Sequence, residues 1–591
     1  MKKKSIFILL FLLSATSIAG IDSTLEKINQ DRAIAFNESD FFEAFDTLLI
    51  SSTLLDPQKD LFTPSFFSVN SGLYKFPILF NLEDYGWMSE CVMLSYDQIV
   101  FKTDTIPLIT AKYDYSNTNA HWFNSRLDRK IGKSKLSAQL NRNFQNSIYN
   151  NSMGKRFNFS IGADLPFQKN YKVTLSYHRN SASIQENGGF INANSIFAEN
   201  NFNVLNFKPH LTSASNTIFL QKASVLQEIK INSKINFDVY SNYEENQFSF
   251  NMFEEDIDVD FFSQTYLDST ETSDSVGFKK FVIEPIINLG KLKKIKGKSL
   301  ISAGIHKEFN DKLILNNSYA LTRLNFVLKK TLISLSGKYH FENIWKGNFN
   351  FNGKSNIFFN QQTQDTTQQF SNLSIQCGYV NELPSYLFIN YHGNHFQWEN
   401  NFSPMKKIKI DAKLNLKVIK SSLALKIQNI SNYIYLDENS FPQQTSENIT
   451  VGRLSIKKSL GNKFIKFHSG LGFQYTTSNL IRIPSFYTRS SLVYEFKLRK
   501  VPFNLGSTVN FFSKYNGLNY NPAIRHYHLG NQMVGGIPVV DFFLASRLGP
   551  ADLYIKYVNA MYSLKNELFI GENYPITNSF FRLGLKWNLT N

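Results

Sequence analysis

The last eleven residues, Phe581-Arg-Leu-Gly-Leu-Lys-Trp-Asn-Leu-Thr-Asn591, alternate apolar and polar side chains without a break. Phe581, Leu583, Leu585, Trp587 and Leu589 share one face, and Arg582, Gly584, Lys586, Asn588 and Thr590 share the other. Successive side chains of a strand point to opposite faces, so this segment has one apolar and one wet surface. A tilted strand of about ten residues crosses the hydrocarbon of a bilayer, which makes this the expected closing strand of a transmembrane barrel. The pattern recurs upstream. Phe157, Phe159, Ile161 and Ala163 alternate with Asn158, Ser160, Gly162 and Asp164. Tyr171, Val173, Leu175 and Tyr177 alternate with Lys172, Thr174, Ser176 and His178. The longest run sets Ile408, Ile410, Ala412, Leu414, Leu416 and Val418 against Lys407, Lys409, Asp411, Lys413, Asn415 and Lys417. Period two sustained over such lengths is a strand signal and excludes a helix.

The other end of the chain carries an export signal. Lys2, Lys3 and Lys4 precede the apolar stretch Ile6 to Leu13, and Ser17-Ile18-Ala19 offers small residues for cleavage before Gly20. That stretch is too short to cross a bilayer as a helix, and no later run of about eighteen apolar residues exists. The mean hydropathy is -0.25 although Phe, Trp and Tyr make up 15% of the residues. Strands that face lipid on one side reconcile those two values, because rings gather at the lipid–water interfaces of a barrel. The expectation is an all-β protein of the outer membrane, reached through a cleaved signal peptide. Its implied partners are outer-membrane lipid and the barrel-assembly and periplasmic chaperone machinery.

Three regions are expected: a signal peptide at 1–19, a mixed N-terminal segment at 20–104 in the periplasm or barrel mouth, and a transmembrane antiparallel β-barrel at 105–591. Short basic or Gly-bearing turns alternate with long polar loops at about 183–212, 251–275, 432–446 and 515–535, the usual periplasmic and extracellular asymmetry. Strand counts from the two ends disagree between Gln361 and Pro384. Single-chain bacterial barrels have even strand numbers, so the expected count is 22, within bounds of 18 to 24.

Catalytic, cofactor and metal motifs are not legible. Gly297-Lys298-Ser299 lacks the upstream glycine of a phosphate loop and is expected to be a basic turn. Asp256, Asp258 and Asp260 lack the glycine and glutamate of a calcium loop. His526 and His528 have no nearby Cys or acid to complete a metal site, and His392 and His395 are placed on opposite faces of a strand. Cys91 and Cys377 are too few for a disulfide scaffold, and Cys377 falls on an apolar face as a buried thiol. The formal charge is +16. With the cations spread over strands and turns, a Lys-rich lumen or an anionic leaflet accounts for it better than nucleic acid does. Lys407, Lys409, Lys413 and Lys417 are the candidate pore-lining residues, since a charge facing lipid at the midplane costs about 2–4 kcal/mol.

Several strings together resemble one family. They are Glu186-Asn-Gly-Gly-Phe190, Asn394-His-Phe-Gln-Trp398, Asn432-Tyr-Ile-Tyr435 with Pro442-Gln443, and Tyr520-Asn-Pro522 with Gln532. Ile537-Pro-Val-Val-Asp541-Phe542, Lys556, Asn559, Tyr574-Pro575 and Gly584-Leu-Lys-Trp587 complete the series. The chain thereby resembles the putative-porin family of Bacteroidota outer-membrane proteins. The resemblance implies a large outer-membrane barrel assigned to transport without an established substrate. The main reading is a passive channel for small solutes that uses no cofactor and is not an enzyme. Read from the residues alone, a passive channel with an anion bias, a surface receptor or assembly partner with a plugged barrel, and a transporter of hydrophobic molecules all stay open. A TonB-coupled receptor is disfavoured, because the residues before the barrel are few for a plug domain of that class. Trp398, Tyr433 and Tyr435 are expected at strand–loop junctions facing the interface, and Gly188-Gly189 at a tight turn.

Overall fold

The structure, a computed structural model, describes residues 108–146, 149–191, 208–256, 261–289, 296–310, 313–328, 331–359, 371–416, 419–562, 569–576 and 578–590. The signal segment, the stretch at 20–104, Cys91 and Lys417 lie outside them. Among the described residues, twenty-two antiparallel strands form one sheet. Each pairs with its neighbours in chain order, and the first strand, Leu108–Ser116, also pairs with the last, Phe580–Thr590. The sheet therefore closes on itself and has no edge. A strand at Ser371–Glu382, between Phe349–Phe359 and Met405–Leu416, settles the disputed stretch of the count.

Closure is what lets these sequences span lipid, since no water is present there to satisfy a free strand edge. Leu583, Trp587 and Leu589 are 42–46% exposed on the outer face, while Arg582 and Gly584 are buried on the inner one. Ile408 and Ile410 likewise face out, and Asp411 faces in. Repeated around the barrel, this makes an apolar belt far larger than the few hundred Å² a soluble surface tolerates. Cys377 sits on the same outer face and is exposed, not buried as its apolar neighbours implied. Inside a membrane an apolar strand face looks toward acyl chains and not toward a core, so apolar context and burial part company there.

Turns at the end that holds Leu108 and Thr590 are short. Ile131 pairs with Ser134 across Gly132-Lys133, and Leu548 with Ala551 across Gly549-Pro550. Gly132 and Gly549 have φ of 58° and 59°, the left-handed backbone that two-residue hairpins demand. Gly297, expected in a turn, instead lies in the strand Lys296–Asn310 opposite Phe326. The other end carries the long connections. Besides those expected, it has two that the alternation did not separate, at 383–404 and 559–579. By the length rule the long-loop end is extracellular.

The closing seam is fastened by a row across three strands. Tyr554 pairs with Gly584, and Gly584 with Asp114. The Tyr554 hydroxyl donates to Asp114, so its ring passes over Gly584, where any Cβ would overlap it. Two further rings lie over directly paired glycines in the same way, Tyr487 over Gly472 and Phe543 over Gly506. A ring laid across a glycine fixes register, because a two-residue slip puts a side chain beneath it.

Two outcomes follow for the seam. Gly584→Val is expected to abolish the heat-modifiable band of the closed barrel, whereas Gly452→Ala, with no atom within 4 Å of the added carbon, leaves it unchanged. Leu585→Arg, on the lipid face, is expected to cost about 2–4 kcal/mol or block insertion. Lys586→Gln, on the inner face, is tolerated; denaturant midpoints in detergent compare the two.

Candidate functional site

A barrel of this strand number is too wide for its wall side chains to fill, and here the long loops enter the mouth and supply a core. Leu387, Phe396 and Trp398 from 383–404, Ile434 and Leu436 from 432–448, and Tyr562, Tyr574 and Ile576 from 559–579 are buried together. Beneath them the wall turns apolar on its inner face, with Ile218, Phe248, Phe250, Tyr487 and Phe512 packed against the loops. Trp398 is 8% and Tyr433 2% exposed, so these rings belong to the cap instead of the lipid interface expected for them. The Trp398 indole donates to the Leu387 carbonyl at 2.9 Å. Tyr435, half-buried, stacks on Tyr433.

The deepest piece is a hairpin in which Tyr515–Asn521 pairs with His526–Val534. It leaves the wall between Val501–Phe512 and Val539–Leu548, and its tip reaches the strands Ser215–Lys230 and Ile235–Phe253 across the mouth. Arg525 at that tip is completely buried. Its Nη1 donates to Asn216 Oδ1 at 3.1 Å and its guanidinium lies 5.6 Å from the Phe248 ring. Asn216 in turn donates to Glu186 Oε1 at 2.8 Å and to the Pro522 carbonyl at 3.0 Å. Tyr391 donates to the Ala523 carbonyl, and Asn521 to Ser440 Oγ at 3.0 Å. A buried charge of this kind depends on its partners, here Asn216 and the ring face of Phe248.

Asn394 organises a second junction. Its backbone N–H donates to Asp274, its side-chain carbonyl accepts the amides of Leu267 and Asp268, and its amide donates to the Asp268 carbonyl and Thr272. Next to it His395 is buried, stacked on Phe262 at 4.0 Å and 3.1 Å from Glu254. His392 and His395 thus do not share a strand, since His395 occupies the turn between Asn390–His392 and Gln397–Glu399. His526 and His528 lie in the inserted hairpin, where burial lowers His528 to about 4 and keeps it neutral. Gly188 and Gly189 do take left-handed backbone, with φ of 67° and 84°, and Phe190 beyond them packs on Tyr149. The 559–579 loop is tied to the wall where Lys556 meets Asp541 at 2.8 Å, both buried, and Asp541 also accepts the Asn559 amide.

The candidate lysines lie lower on the wall. Lys407, Lys409 and Lys413 are half-buried on the inner face of Met405–Leu416, alternating with the exposed Ile408 and Ile410. Asp411 among them is 6% exposed and pairs across strands with Lys426. The stem of Lys409 crosses Gly378 on the next strand. Lys354, Lys338 and Lys280 share the inner face, by register, and were not singled out. The same period-two rule finds Lys354, in Asn350-Phe-Asn-Gly-Lys354. No such rule finds Arg525 or Asn394, whose partners lie far away in the chain.

Solved structures of similar shape are outer-membrane receptors and transporters. They include the ferric enterobactin receptor of Pseudomonas aeruginosa, at a TM-score of 0.60 and 10% identity over 83% of this chain and 81% of that one. The siderophore receptor PirA of Acinetobacter baumannii follows at 0.58 and 9%, covering 83% and 81%. The copper transporter OprC gives 0.56 and 10%, covering 82% of each chain. At such identity the likeness is one of fold. No curated protein matches the sequence. The family described as "Putative porin" matches residues 118–591, nearly the whole barrel with its cap, and the chain belongs to that family.

Proposed function

We propose that this outer-membrane transport protein is a capped channel, closed at its extracellular mouth by its own loops and conducting small solutes when the cap is displaced. The complete burial of Arg525 against the far wall supports this reading most directly. Loops that only decorated a rim would leave their tips in water. These tips form a core, so opening is a discrete rearrangement of packed elements. The family and the transporter folds point to transport without catalysis. The inner lysines add a bias, since cations on the wall of a low-dielectric tube raise the local anion concentration.

In planar bilayers the native protein is expected to be silent or to open briefly. Replacing 515–534 by a short Gly-Ser link is expected to give large, steady conductance steps. Large steady steps from the native protein, unchanged by the replacement, would overturn the capped-channel reading. A barrel silent in both forms would favour the receptor or assembly role instead.

Selectivity is read in the cap-less background. Lys407, Lys409 and Lys413 are expected to give anion preference at about 10 mM salt, where the Debye length is about 30 Å, fading as salt rises. Changing all three to Glu should reverse the sign of the reversal potential in a salt gradient. An indifferent pore at low salt would show that the row only wets the wall.

A further inference from the structure

Among the residues whose side chains are described, none between 279 and 386 belongs to the cap core. A cavity of about 250 Å³ lies there, at the extracellular end of Thr331–His340. Lys280 and Lys338 enter its lining from two different strands, Glu382 lines it as well, and Glu284 lies within electrostatic reach of Lys338. Lys338 is held in place by the Tyr319 ring, 3.9 Å from its Nζ, and Tyr319 is fixed by its hydrogen bond to Glu284 at 2.7 Å. Two ammonium groups brought to one small cavity repel each other, and an anion between them relieves that repulsion.

The rest of the lining suits hydroxyl groups. Asn348 uses its side-chain carbonyl on the Leu383 amide at 3.3 Å, and Asn381 its amide on the Gly347 carbonyl at 3.1 Å. One keeps a donor and the other an acceptor for a ligand. Asn350 also lines the cavity, and Trp345 and Phe349 supply ring surface. The turn that carries Trp345 is rigidly built. Lys346 and Asn348 donate back to the carbonyls of Asn343 and Trp345 at 3.0 and 2.8 Å, Gly347 donates to the His340 carbonyl at 3.1 Å, and His340 donates to the Asn348 carbonyl at 3.0 Å. Gly347 takes a φ of 86°, with open space around it.

We propose that this cavity binds a sugar-sized organic anion, with its carboxylate or phosphate on Lys280 and Lys338, its hydroxyls on the asparagine amides and a ring face against Trp345. The volume is below that of drug-sized pockets and the lining is polar, which fits a small hydrophilic ligand. Lys354, Lys409 and Lys413 continue the cationic inner wall beyond it. The assignment deepens the reading of the lumen as a solute path, of which it would be the outer station.

Binding to the full-length protein in detergent tests the cavity without requiring conduction. Calorimetric titrations with glucuronate, glucose 6-phosphate and glucose form the first arm. One or both anions are expected to bind at least tenfold more tightly than glucose, and which of the two does so identifies carboxylate or phosphate. The double change Lys280→Gln and Lys338→Gln should lose that margin, while Lys133→Gln, in a short turn at the opposite end of the barrel, keeps it. Trp345→Phe is a second probe that leaves the charges intact, and it should weaken all three ligands alike. Glucose binding as well as the anions, or anion binding unchanged in the double variant, overturns the proposal. Loss of binding with the capped conductance intact would sink this site alone, and the converse would sink the channel reading alone.

Discussion

Everything in this molecule depends on the backbone having no free edge. In hydrocarbon each unmet N–H or C=O costs several kcal/mol, so a sheet can span lipid only by closing. The pairing of Leu108–Ser116 with Phe580–Thr590 meets that demand. Once closure is fixed, the pleat assigns alternate residues to lipid and lumen, and the chain's composition follows. The bulky aromatic and aliphatic residues turn outward, and the Asn, Ser and Lys residues turn inward. The Tyr554–Gly584–Asp114 row shows how tightly the last step is specified, since its three members come from both ends of the barrel sequence.

Width then creates the second problem. Twenty-two strands enclose more space than wall side chains can fill, and an open mouth would suit only an indiscriminate pore. The cap solves it with loops that no single stretch of chain could build. Arg525 meets Asn216, and Asn394 meets Asp274, each across more than a hundred residues of chain. Burying these charges brings little net stability, but removing one partner strands the other, at about 3–5 kcal/mol. Such contacts therefore define one arrangement of the mouth.

Most of the wall was legible and most of the cap was not, for a physical reason. Around Ile408 and Phe581 the two faces of a strand meet lipid and water, so alternation is clean. Near the extracellular ends the inner face meets the cap core, so Ile218, Phe248, Phe250 and Ile430 are apolar on the side that should be wet. Alternation fades there, and strand ends merge into loops in the sequence. That hid the 383–404 and 559–579 connections and sent Trp398 and Tyr433 to the wrong surface. The strings that carried the family resemblance read as short strand–loop motifs; in space they are the anchor points of the cap. Glu186, Asn394, Pro522, Asp541, Lys556 and Asn559 all take part in its bonds.

The uneven reach of the cap has its own logic. Its hairpins leave the wall from 383 onward, and their tips land on strands before residue 253, so the apolar core bridges those two arcs. Between them, the strands Thr331–His340, Phe349–Phe359 and Ser371–Glu382 contribute no described side chain to that core. Their inner face is free to remain polar, and it is there that Lys338, Lys354 and the asparagines line up. A fully apolar mouth would exclude charged solutes altogether, and a fully polar one could not hold a cap in place. Dividing the circumference between a packed arc and a wet arc reconciles those two demands, with apolar packing on one side and cations on the other.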